Sequence, residues 1–282
     1  MKIKITADST CDLPQELTEK YDIGIIPLYV VKNGQAYADG IEMCPQDIYD
    51  HVAAGGEMCT TAAVSVADYE AFFTEQLKSC DAVVHFHISG DMSCCYQNAC
   101  IAASELGNVY PVDSRSLSTG IALLAVSAAE LAARGDMTAE QIRDEMLVRR
   151  EKLDVSFTLD TLKYLSKGGR CSAVAALGAN ALGLKPCIEV RDGKMGVGKK
   201  YRGHMDKCLT QYVRERLANR DDIDTERIFV TESGHLTDAE LEGVMEEIRK
   251  HQSFGEIIHT RAGCTISNHC GPRCLGILYY HK

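Results

Sequence analysis

Apolar and polar positions fall into short alternating blocks along the first half of the chain. Lys2–Ala7 reads as a strand, and polar Asp8–Asp12 ends it. Asp12 and Gln15 then form a capping box for a helix with Pro14 in its first turn. Ile23–Val31 is a second strand, marked as an edge or bent strand by Pro27. Asn33-Gly34 is a hairpin turn signal, and the returning arm runs from Gln35 to Ala38. A short helix follows Cys44, and Thr60–Ser65 reads as a polar loop. Val66, Tyr69, Phe73 and Leu77 then recur at helical spacing. Asp81–Ile88 looks like an inner strand, Ser89–Asp91 breaks it, and a helix is predicted from Ser93. Val109–Asp113 is a further strand, Leu117–Leu131 carries a helical stripe, and Thr138 with Gln141 caps another helix. Strands alternating with helices predict a parallel sheet covered by helices, over residues 1–152.

The rhythm changes after residue 152. Val155–Leu159 reads as a strand and Asp160–Ser166 as a short helix. Lys167–Arg170 is a sharp break, and Ser172–Leu184 is almost wholly small and apolar. Lys185–Val190 and Met195–Tyr201 flank Asp192-Gly193, a second hairpin. Strands at Arg227–Thr231, Glu256–Thr260 and Leu275–Tyr280 and helices at Asp206–Ala218 and Asp238–Lys250 complete the pattern, with Ser267–Pro272 read as a turn. The expectation is an α+β domain over residues 153–282, and an α/β protein of two domains overall.

Charge narrows the classes of partner. The formal net charge of −10 argues against a nucleic-acid binder. Between Asp160 and Arg220, however, 13 Lys and Arg face 5 Asp and Glu, a net of +8. That segment is either a solvated basic face or a surface for an anionic ligand or acidic partner. The 13 cysteines show no framework spacing, and Met1 leads straight into a charged strand, so a reducing cytoplasmic setting is expected. Thr119–Ala133 is too short and too interrupted for a membrane span.

Candidate chemistry gathers where strands end. A strand closing in a small-residue loop before a helix presents unpartnered N–H groups to an anion, and Ser93 adds a hydroxyl there. Ser93 as a plain helix cap is the alternative. Asp8, Ser9 and Thr10 stand at the carboxyl end of the first strand, where ligands of open α/β sheets collect. His85 and His87 point to one face of a strand and read as buried, hydrogen-bonded residues rather than metal ligands. Cys270, Cys274 and His269 lack the tight paired spacing of a metal knuckle. Neither phosphate-loop signature is present, so no nucleotide is expected. Ser93 and His269 could form a nucleophile and base, but no nucleophile elbow surrounds Ser93.

These segments together resemble the DegV family over the whole chain. The pieces are Asp8–Pro14, Thr60-Thr61, Ile88–Ser93 with Tyr96–Ala99, Val112–Ser114, Leu162–Arg170, Leu184–Pro186, Asp192-Gly193, and His269–Pro272 with Leu275-Gly276. The family consists of bacterial fatty-acid-binding proteins, several of which are lipid-presenting subunits of fatty acid kinase. The resemblance implies a long-chain fatty acid in an apolar pocket between the domains and no other cofactor. It implies a carboxylate held by Thr61, Ser93 and backbone N–H near Cys94, with Arg170 and His269 near the pocket mouth. It implies a non-catalytic chain that presents the carboxylate to a separate ATP-dependent kinase. An acyl hydrolase or transferase using Ser93 and His269, and a lipid sensor or store without a kinase, are the rival readings. Three departures stand out: Ser93-Cys94-Cys95 replaces the usual Ser-Gly-Thr, Ala62-Ala63 replaces Gln-Pro, and Arg273 replaces the last Gly of Gly-Pro-Gly.

Overall fold

The computed structural model describes residues 1–175 and 183–282, so most of the small apolar run after Ser172 lies outside the described residues. In chain order the elements are β1 (Ile3–Asp8), α1 (Gln15–Lys20), β2 (Gly24–Ile26), β3 (Tyr29–Lys32), β4 (Gln35–Ala38), α2 (Pro45–Ala53), β5 (Thr60–Ala62), α3 (Val66–Leu77) and β6 (Ala82–His87). Then follow α4 (Cys95–Leu106), β7 (Val109–Asp113), α5 (Thr119–Arg134), α6 (Ala139–Arg149), β8 (Leu153–Thr158), α7 (Lys163–Gly168), α8 (Ser172–Ala175), β9 (Leu184–Arg191) and β10 (Lys194–Arg202). The chain closes with α9 (Met205–Leu217), β11 (Ile223–Glu232), α10 (Asp238–His251), β12 (Glu256–Arg261), α11 (Cys264–Cys270) and β13 (Leu275–His281). Two units emerge. One holds Met1–Cys44, Cys59–Glu151 and Asp192–Lys194; the other holds Pro45–Met58, Lys152–Arg191 and Met195–Lys282.

The first unit is built on a four-stranded parallel sheet in the order β2-β1-β6-β7. All six residues of β6 are buried, as expected of an inner parallel strand covered on both faces. Thr6 pairs in register with His85, and Val84 with Tyr110. The Ala-rich helix α5 is buried along most of its length, because small side chains let its backbone approach the sheet. Pro27 falls where the expected second strand divides. β2 stays at the edge of the parallel sheet, and β3 joins an antiparallel sheet in the order β4-β3-β5. Asn33 (φ 53°) and Gly34 (φ 80°) make the turn between β3 and β4.

Sequence and structure part at four places in the backbone. Thr60–Ala62 is a strand paired with β3, not a loop, because a free edge there accepts it. Asp12 does not cap α1. It adopts φ 52° and its carboxylate accepts a 2.5 Å hydrogen bond from Ser118 Oγ, so the N-cap position of α1 falls to Pro14, without a side-chain bond. α4 begins at Cys95 rather than Ser93. Ser267–Pro272 is mostly the last turn of α11 rather than an open turn.

The second unit carries a six-stranded mixed sheet in the order β10-β9-β8-β13-β11-β12, antiparallel except for the parallel pair β11 and β12. Asp192 (φ 49°) and Gly193 (φ 79°) form the hairpin turn between β9 and β10. Leu209, Tyr212 and Val213 of α9 and Ile248 of α10 pack with Ile228 and Ile277 in its core. At one edge of this core Asp154 faces Arg216 and Arg220, the latter at 3.5 Å, and accepts a 3.1 Å hydrogen bond from Tyr279 Oη. The basic segment spends much of its charge in such pairs, among them Lys199 with Glu215 at 2.8 Å and Arg214 with Glu247 at 2.6 Å. Among the described residues no helix is long and apolar enough to cross a membrane.

Candidate functional site

The loop that follows β6 is pinned from several sides. Ile88 N donates to Asp8 Oδ2 at 3.0 Å, and Ser89 N donates to Ser116 O at 2.8 Å. Ser89 Oγ donates to Gly193 O at 2.7 Å, and Met92 N and Ser93 N both donate to Ser89 O. A Cβ at Gly193 would lie 2.7 Å from Ser89 Oγ, so this close approach requires glycine, as does its φ of +79°. Asp8, expected at a ligand-collecting strand end, is instead fully buried. It accepts hydrogen bonds from Ile88 N and from the Thr10 N–H and hydroxyl. Burial pushes its carboxyl up to about 6. Its place is within the scaffold, holding the ends of β1 and β6 together.

Ser93, half-buried, stands at the head of α4. Its Oγ accepts a 3.3 Å hydrogen bond from Cys95 N and donates to Cys95 Sγ at 3.1 Å. Sulfur is a weak acceptor, so this hydroxyl can turn to a carboxylate at little cost. Cys94 is exposed and occupies the N-cap position with φ −82° and ψ 7°. Those angles suit any L-residue, so the backbone there does not need glycine. The first-turn N–H groups of a helix point beyond its end and favour an anion. Thr61, half-buried on β5 opposite Val30, leads into a segment fastened to α4 by Asn98 Nδ2, which donates to Val64 O at 2.7 Å. This bond ties the segment that follows Thr61 to α4, the helix that Ser93 and Cys94 precede, within the first unit.

Arg170 and His269 meet within the second unit. Gly168 ends α7 directly against the imidazole, where a Cβ would collide with His269 Nδ1. Gly169 (φ +69°) then turns the chain, and exposed Arg170 donates back to Gly168 O at 2.8 Å. Burial, with the nearby Arg170 charge, lowers the His269 pKa to about 4. The ring is therefore neutral at neutral pH and a poor proton acceptor there. Gly-Gly before Arg was legible as a break; that its first glycine makes room for a histidine about a hundred residues on was not. Arg273, expected to add charge, has φ 62° and bonds to Glu240 at 2.5 Å and to His235 O at 3.0 Å. Its charge is matched locally.

The two strand histidines are buried as expected, but only one nitrogen of each has a partner among the described residues. His85 Nδ1 lies 2.7 Å from Thr6 Oγ1, and His87 Nδ1 lies 3.3 Å from Tyr69 Oη. Burial holds both rings neutral, lowering His87 to about 3 and His85 well below its ordinary value. No disulfide joins the 13 cysteines, all of which lie in the described residues. Among those residues no group of three or more His, Cys, Asp or Glu side chains is arranged to hold a metal ion.

A family model described as "Uncharacterised protein, DegV family" matches residues 2–282. A DegV domain-containing protein from Clostridium perfringens is 31% identical over 289 residues, covering 100% of this chain and 99% of the relative. A fatty acid-binding protein from Thermotoga maritima is 30% identical over 284 residues, covering 98% of this chain and 96% of its own. Among solved structures, one described as fatty acid binding of a DegV family protein from Thermus thermophilus superposes with a TM-score of 0.89 at 30% identity, covering 100% of both chains. By its end-to-end match in sequence and in fold, this chain belongs to the DegV family.

Proposed function

We propose that the chain binds one long-chain fatty acid. Its carboxylate is held by the Thr61 and Ser93 hydroxyls and by backbone N–H at the Cys94 turn. The observation that carries the reading is the full-length match to relatives described as fatty-acid-binding, with the family's Ser93 at the head of a helix. Hydroxyl and N–H donors suit a carboxylate without a full countercharge. The acyl chain supplies most of the affinity, at about 0.8 kcal/mol per buried methylene.

In the finer reading the chain is not itself a catalyst. It offers the bound carboxylate to a separate ATP-dependent kinase, with Arg170 supplying positive charge to the phosphoryl group and His269 acting as a neutral hydrogen-bonding neighbour. Purified protein, denatured and analysed by mass spectrometry, should release one equivalent of free fatty acid per chain. A covalent acyl adduct on Ser93 would replace this reading with that of an acyl-transferring enzyme. No lipid, together with failure to bind palmitate or oleate, would end it. Formation of acyl phosphate on adding a fatty acid kinase and ATP tests the finer reading.

A further inference from the structure

Inner strands of parallel sheets are normally apolar. β6 instead places two imidazoles on one face, their ring centroids 4.2 Å apart and both side chains fully buried. Aromatic rings surround them: Tyr69 lies 5.5 Å from His85 and 5.6 Å from His87, Phe73 lies 5.1 Å from His85, and Tyr96 lies 5.8 Å from His87. Each Nδ1 is engaged, by Thr6 or Tyr69. Each Nε2 is buried with no hydrogen-bond partner among the described residues. Buried polar atoms are almost always satisfied, and two neighbouring exceptions in one aromatic layer call for an oxygen or nitrogen from outside the protein. The layer is continuous with the head-group site, since Ser93 Oγ bonds Cys95 Sγ, and Cys95 and Tyr69 bond through their side chains.

We propose that His85 and His87 form a subsite for a ligand oxygen, so that the chain prefers a long-chain fatty acid bearing a hydroxyl along its acyl chain. The proposal rests on the fatty-acid reading above. Burial holds both rings neutral, which favours an uncharged group over a second carboxylate. A hydroxyl both donates and accepts, so it can take a hydrogen from one Nε2 and give one to the other. A keto oxygen can only accept, and would require both rings to be Nε2 donors.

The test titrates the full chain, stripped of lipid, with stearate and with stearates hydroxylated at single positions from carbon 3 to carbon 12. At least one positional isomer should bind about tenfold more tightly than stearate. Replacing both histidines (H85L/H87L) should abolish that preference, and H87Q should restore part of it. Equal affinity of wild-type protein for stearate and every hydroxystearate would overturn the proposal and leave a trapped water as the occupant. Wild-type protein alone decides this, whether or not the variants fold. Failure of all the fatty acids to bind would instead overturn the underlying fatty-acid reading, and this proposal with it.

Discussion

Each unit buries a cluster of polar side chains beside its sheet, and the two clusters are made in opposite ways. In the second unit Asp154 sits among Arg216, Arg220 and Tyr279, so its charge faces opposite charge and a phenol donor. In the first unit His85 and His87 are neutral, stand among aromatic rings, and each keeps one nitrogen without a partner among the described residues. In the ionic cluster charge meets charge, and Arg216 Nε is left without a partner among the described residues. A half-satisfied neutral pair leaves hydrogen-bonding capacity for something else. Burial alone therefore does not separate structural polar groups from binding ones; whether opposite charge is paired within the cluster does.

That contrast can be broken first with pH. His87 has its folded pKa lowered to about 3, so between there and its unfolded value near 6.5 the unfolded state binds more protons. Its contribution is full above that window and is lost as pH falls through it, by on the order of 5 kcal/mol. His85 shifts in the same direction. Asp8, raised to about 6, works the other way and stabilises the native state more at low pH, offsetting part of the loss. Urea unfolding from pH 7 down to pH 4 should show falling stability, and H87L should flatten the profile. An unchanged slope in H87L would remove the buried neutral imidazole from the account.

The second unit should respond to loss of one charge. Asp154→Ala leaves Arg216 with Glu189 as its remaining carboxylate and takes away the acceptor of Tyr279 Oη, and should cost about 2–3 kcal/mol, read as a shift in denaturation midpoint. A smaller effect is expected at Gly168. G168A gains about 1 kcal/mol of helix propensity but drives a methyl into the His269 ring, for a net loss of about 1–2 kcal/mol. The smallest change in stability should come from S93A, whose signature is instead about a tenfold loss of fatty-acid affinity in a titration. If S93A bound as tightly as wild type, the carboxylate site would lie elsewhere.

The alternation of strands and helices, the hairpins at Asn33-Gly34 and Asp192-Gly193, and the Thr138 capping box were all legible, because each depends on residues within a few positions of one another. So were the parallel sheet of the first unit and the family, whose motifs recur in order along the chain. Local pattern failed where a distant group competed. Asp12 abandoned a nearby cap for Ser118, and Thr60–Ala62 became a strand because the edge of β3 was open to it. The basic segment is largely an exposed face, as its pattern implies, but the acidic partners of Arg214 and Arg216, Glu247 and Asp154, come from other elements. Sequence also placed His85 and His87 on one buried face, since strand periodicity is local. Only tertiary structure decided which of their nitrogens found partners, because those partners come from β1 and α3, and a hydrogen bond is satisfied in space rather than along the chain.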